Sequence, residues 1–176
     1  MATRVKTVHF ALGDSTSNKL DAGKVWTKTG GAWADRTATY ISAATADVPL
    51  GGAVGDELYI GSLIPFVSVC HDTSTAPTGT VAWEYWNGSA WAVCPGLSGS
   101  LPTDNTTIRW DRPTDWATTQ VNGEGDGPWY YARLRRTGAG TGGTISGGNL
   151  GICHQFANVR SVNLPDLTGT PTVRVG

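Results

Sequence analysis

The sequence predicts an all-β protein, an antiparallel β-sandwich of jelly-roll-like type with extended terminal segments. Three observations lead there. Short apolar runs recur between turn residues along 176 residues, of which 24 are glycine. Few segments carry the i, i+3, i+4 periodicity of an amphipathic helix. Residues 81–94, VAWEYWNGSAWAVC, alternate large side chains between two faces and then meet Asn87-Gly88. Both residues tolerate the positive φ of a two-residue type I′ turn, so residues 90–94 are expected to pair back on 81–86. That hairpin holds three of the eight tryptophans. A tryptophan buries roughly 150–250 Å², so this segment is the expected centre of the core.

The other elements follow in chain order. Residues 3–12, TRVKTVHFAL, read as a first strand whose register the alternation does not fix. Residues 15–23 are polar and read as a loop. Residues 24–29 and 32–39 flank Gly30-Gly31 as a second hairpin with Trp26 and Trp33 on its arms. Residues 40–53 admit one helical turn near 43–46, and residues 54–61 form a short strand entered from a turn. Residues 64–71, IPFVSVCH, are a strand whose Pro65 places its start at an edge or bulge. Residues 72–79 are a loop, 95–105 a Gly/Pro/Ser-rich connection, and 106–110 a strand. Pro113 to Trp116 can start a single helical turn. Residues 122–127, NGEGDG, are a turn. Residues 129–137, WYYARLRRT, alternate Tyr131, Arg133 and Arg135 with Ala132, Leu134 and Arg136, and the arginines suggest a guarded edge strand. The expected organisation is a sandwich domain over 1–137, a Gly-rich linker or loop over 138–148, and an extended tail over 149–176. The tail contains short β-like pieces and either completes the sandwich or orders against a neighbouring subunit.

Charge excludes some partners. Thirteen basic residues stand against fourteen acidic ones, for a formal charge of −1. No nucleic-acid or membrane partner is therefore expected. The apolar stretch near the N-terminus is too short and interrupted for a signal peptide, so synthesis in a cytosol is expected. Cys70, Cys94 and Cys153 are odd in number and read as reduced, buried thiols. The pairs Cys70-His71 and Cys153-His154 invite a metal reading, but strand neighbours point to opposite faces, so no metal and no cofactor is expected.

Five motifs in order, GDELYIGS (55–62), PF (65–66), VAWEYWNGSAW (81–91), IRWDRPTDWATTQVNG (108–123) and PWYYARLRR (128–136), resemble a β-sandwich domain of tailed-bacteriophage virion structural proteins. The resemblance covers about half the chain. It implies a virion structural protein made in the host cytoplasm. Among such proteins, the length fits a capsid decoration, or cement, protein on the head surface. That role implies the major capsid protein and further copies of the chain as partners, commonly as a homotrimer. The alternative is a tail, baseplate or head-fibre component that binds host-surface glycans through exposed aromatic residues.

No enzyme is expected. The three histidines are far apart, and neither G-x-S-x-G nor H-E-x-x-H occurs. Glu84, between Trp83 and Tyr85, has no second carboxylate at a defined register and reads as a solvated, outward position. Oxygen-rich turns at 104–105, 111–115 and 122–126 lack alternating ligand positions and read as turns rather than Ca²⁺ loops. Trp33, Trp86, Trp91, Trp110, Trp116 and Trp129 are candidate sugar platforms, set against the plainer reading that most are core. Candidate partner-binding residues are Arg4, Lys6 and Phe10 in the first strand, Trp86 on the hairpin, and Arg133 and Arg135, which can meet an acidic shell surface. In the tail they are Phe156, Arg160, Leu164 and Leu167.

Overall fold

Gly30 and Gly31 take φ values of 56° and 84°, the left-handed pair that closes a two-residue hairpin loop. β1 (Lys24–Thr29) and β2 (Ala32–Asp35) pair across it. Asp35 then caps a short helix, α1 (Thr37–Ile41), by accepting the Thr37 backbone N–H at 2.8 Å. These elements belong to a computed structural model in which residues 23–41, 47–71, 73–103, 106–125, 127–145 and 151–153 are described. The expected first strand at 3–12, with Arg4, Lys6 and Phe10, lies outside the described residues. So do the helical turn at 43–46, and Phe156, Arg160, Leu164 and Leu167.

The remaining strands are β3 (Val48–Leu50), β4 (Glu57–Ser62), β5 (Ser68–His71), β6 (Thr73–Thr75), β7 (Thr80–Trp86), β8 (Trp91–Val93), β9 (Thr106–Arg109), β10 (Tyr130–Gly138), β11 (Gly143–Ile145) and β12 (Gly151–Cys153). They form one six-stranded sheet, β2-β1-β4-β10-β7-β8, and two three-stranded sheets, β3-β11-β6 and β12-β5-β9. Every described pairing is antiparallel, and the whole is an all-β sandwich.

The core lies between the large sheet and the two small ones. Alternation sends Val25, Leu58, Ile60, Trp83, Tyr85, Ala132 and Leu134 from the large sheet into it. They meet Val48, Leu50 and Ile145 of one small sheet, and Val69 and Ile108 of the other. Trp83 is fully buried and stacks on Trp110 at 5.8 Å, and both indole N–H groups are satisfied, by the carbonyls of Ser100 and Phe66. Arg136, on this same face, is 1% exposed. Its guanidinium donates to the carbonyls of Gly51, Thr78 and Thr141, joining three loops at one end of the sandwich.

Several expectations change. Residues 72–79, read as a loop, contain β6, which pairs with β11, and the second arm of the Gly30-Gly31 hairpin ends at Asp35, with residues 37–39 in α1 instead. The hairpin of β7 and β8 turns at Gly88-Ser89, one residue later than Asn87-Gly88, because the Asn87 side chain accepts the backbone N–H groups of Ser89 and Ala90 at 3.0 and 2.8 Å. The shift sets Trp86 opposite Trp91. The Arg-rich strand is not an edge: β10 is paired on both sides, with β4 and β7. The Gly-rich stretch 138–148 contains β11, the central strand of a small sheet. A Cβ on Gly143 would lie 2.6 Å from the Thr75 carbonyl oxygen, so glycine lets these backbones approach.

Candidate functional site

Two rows of cross-strand neighbours make up the middle of the sheet face that points away from the core. One row runs Trp26, Tyr59, Arg133, Glu84 and Val93, and the next runs Lys28, Glu57 and Arg135. Residues directly opposite each other in adjacent strands share a face, so register alone brings two carboxylates between two guanidiniums.

The geometry closes this group into a network. Arg133 donates from Nε to Glu84 Oε2 at 2.7 Å and from Nη1 to Glu57 Oε1 at 3.0 Å. Arg135 grips Glu84 in a fork, with Nε to Oε2 at 3.1 Å and Nη2 to Oε1 at 2.7 Å. Lys28 Nζ stands 3.4 Å from Glu57 Oε2, which also accepts the Tyr59 hydroxyl at 2.6 Å. Every oxygen of both carboxylates thus already meets a donor. Burial pushes the Glu84 carboxyl up, but the hydrogen bonds from Arg135 and Arg133 outweigh it and hold the group below its ordinary range. The Tyr59 phenol is pushed well up by burial and by the Glu57 carboxylate it faces.

Above this network the edge tryptophans fold inward. Trp91 belongs to edge strand β8, three strand spacings or about 14 Å from β4. Its ring nevertheless lies 5.5 Å from that of Tyr59 on β4, because the indole leans back across β7 and β10. Arg133 Cζ sits 4.5 Å from the Trp91 ring centre, a cation–π contact on its sheet-facing side. From the opposite edge, Trp33 leans over β1 to stand 5.1 Å from Tyr59, with Lys28 Nζ 5.3 Å from its ring centre. Trp86 on β7 meets Trp91 at 5.6 Å, and Trp26 on β1 meets Trp33 at 6.4 Å. The row therefore crosses the sheet from edge to edge over buried charge.

One end of the face is fixed by the turn at 121–124. Glu124, 7% exposed, accepts the Trp26 indole N–H at 2.7 Å, the Tyr131 hydroxyl at 2.7 Å and the Val121 backbone N–H at 3.1 Å. Asn122 and Gly123 take φ values of 51° and 65°, which turns the chain tightly enough to aim that carboxylate back at the sheet. Gly61 leaves room for Tyr131, whose ring would meet a Cβ there at 2.7 Å.

The predicted site residues fall out unevenly. Glu84 does point away from the core, but it is 4% exposed and ion-paired, not solvated. Arg133 and Arg135 are not free to meet an external acidic surface as a pair, because both are committed to Glu84. Of the two side chains, Arg133 is 13% exposed and Arg135 35%, so Arg135 is the more open to solvent. Trp33, Trp86 and Trp91 lie half-buried on the outer face, whereas Trp110 and Trp116 are core. Trp129 is half-buried against Tyr131 and Val121. Asp115, in a turn read as oxygen-rich, accepts the Tyr85 hydroxyl at 2.8 Å.

Lys28, Glu57, Tyr59 and Glu124 belong to this face and were not singled out from the sequence. The signal available for the first three was the outward register of β4 beside Arg133 and Arg135, two cations on one face that call for carboxylates opposite them. Cys94 is buried, and burial followed by the nearby Glu84 charge pushes its thiol up to about 12. The side chains of Cys70, His71 and Cys153, and all of His154, lie outside the described residues. Among the described residues no group of three or more His, Cys, Asp or Glu side chains is arranged to hold a metal ion. No family model, characterised protein or solved structure matches this chain.

Proposed function

We propose that this chain is a structural protein of a tailed-bacteriophage virion that acts by binding, as a decoration protein of the head shell. The observation that supports this reading is where the resembling motifs fall. GDELYIGS covers the turn into β4 and β4 itself, VAWEYWNGSAW runs from β7 to the first residue of β8, and PWYYARLRR covers most of β10; these strands are neighbours in the order β4-β10-β7-β8. The intervening IRWDRPTDWATTQVNG motif places Trp110 and Trp116 in the core behind that sheet and Val121 against its outer face. Motifs scattered over about 80 residues of sequence thus lie in one packed unit, which a shared domain requires.

The mechanism is mass action. A protein that binds the assembled shell and not its free subunits stabilises the shell by the free energy of that binding. Contacts to more than one capsomer, repeated over a lattice, supply avidity from modest single-site affinity. The partners in this reading are the major capsid protein and further copies of the chain, as a homotrimer. No catalytic group is required, and the carboxylates of the outer face are held by cations rather than poised for proton transfer.

The test is to add purified protein to shells that lack it. Saturable co-sedimentation with a rise in the shell's melting temperature is the expected result. Failure to sediment with shells, or sedimentation that leaves the melting temperature unchanged, would overturn the reading.

A further inference from the structure

We propose that the outer face of the six-stranded sheet is a binding site for a neutral oligosaccharide, with Trp33 and Trp91 as stacking surfaces on either side of Tyr59. This goes beyond the virion reading and stands independently of it.

The first ground is ring placement. Trp91 rests its sheet-facing side on Arg133, so its other side points away from the sheet. Trp33 leans in from the opposite edge with Lys28 at its ring. Both rings meet Tyr59, which places them within about 11 Å of each other, and Trp86 meets Trp91. The rings are held by cations and edge contacts before any ligand arrives, so little side-chain freedom is lost on binding.

The second ground is charge. Lys24, Lys28, Arg133 and Arg135 on this face are matched by Asp35, Glu57, Glu84 and Glu124, and among the described residues all but Glu124 enter ion pairs. A balanced face offers nothing to a polyanion, which needs uncompensated cations. It suits a ligand that is uncharged and itself two-sided. A pyranose ring has an apolar C–H face to lie on an indole and a rim of hydroxyls. Hydroxyl partners stand at the margins of the row, where the Arg135 side chain is 35% exposed and that of Asp35 43%. A proline-rich peptide also uses aromatic surfaces, and the test therefore includes one.

The test is titration of the whole chain, followed by tryptophan fluorescence and calorimetry. The probes are malto-, cello- and chito-oligosaccharides, a heparin oligosaccharide and a polyproline peptide. At least one neutral oligosaccharide is expected to bind, with affinity lowered about tenfold or more in Trp33→Ala and in Trp91→Ala. Trp91→Phe, which keeps an aromatic ring, should retain part of the binding and guards against a folding defect in the alanine variant. Thr75→Ala, on the far small sheet, should bind as the unaltered chain does. Binding of none of the neutral probes, binding only of heparin or polyproline, or sugar binding unaffected by both alanine variants would overturn the proposal. The shell co-sedimentation experiment decides the virion reading separately, so either can fail alone.

Discussion

Replacing Glu84 by alanine tests whether the outer-face network is a buried, structural one. The carboxylate is 4% exposed and receives three hydrogen bonds, one from Arg133 and two from Arg135. Its removal leaves Arg133, whose side chain is 13% exposed, with Glu57 as its remaining ion-pair partner among the described residues. Removing one member of a buried pair costs about 3–5 kcal/mol, because the remaining charges stay largely out of water with fewer partners. Against a total stability of about 5–15 kcal/mol for an ordinary domain, that is a large fraction. At roughly 2–4 °C per kcal/mol for a chain of this size, the melting temperature should fall by about 6–20 °C. Urea unfolding followed by circular dichroism at neutral pH measures the loss. Arg135→Ala should cost less than Glu84→Ala, because Arg135 is the more exposed partner and Arg133 still holds Glu84. The double variant should fall short of the sum of the two singles, since the pair is coupled. A loss below about 1 kcal/mol for Glu84→Ala would refute the reasoning, because that is what a solvated surface bridge is worth.

Further outcomes follow from the same structure. Glu84 is held below its ordinary carboxyl range in the folded chain, so its contribution to stability stands above the ordinary range and is lost as pH falls through the lowered folded value. Urea unfolding measured from neutral pH downward should therefore show stability declining on the acid side, and less steeply in Glu84→Gln. Arg136→Met leaves the carbonyls of Gly51, Thr78 and Thr141 without their donor and should cost about 3 kcal/mol or more. Hydrogen exchange should rise first in β3 and β11, which those loops enter. Cys94, with its thiol pushed up to about 12, should resist alkylation at pH 8 in the folded chain and react at once in denaturant.

How much of this was legible in the sequence depends on how far apart the interacting residues lie. The hairpin at Gly30-Gly31 was readable because both turn residues and both strand alternations are local. The hairpin of β7 and β8 was readable except for its turn, since Asn87 uses its side chain as an acceptor, a choice that residue type allows but does not dictate. β10 was recognised as a strand and assigned the wrong place in the sheet. Three arginines within four residues look like edge protection until Glu57 and Glu84 are known to stand beside them. β11 escaped because GAGTGGTISGG has almost no side chains to alternate. What makes it a strand is backbone pairing with β3 and β6, where glycine admits the close approach. The aromatic row was the least legible part. Trp91 and Tyr59 are separated by three strand spacings, and no sequence pattern shows that an edge indole leans across two strands to reach a ring on a third.

The measurement that bears most directly on the account is the position of the protein on intact virions, by gold-labelled antibody and electron microscopy, with copies counted against the major shell protein. A decoration protein predicts label spread over the head in numbers comparable to the capsomers. Label confined to the tail tip or to one vertex, or no label on the particle, would contradict it.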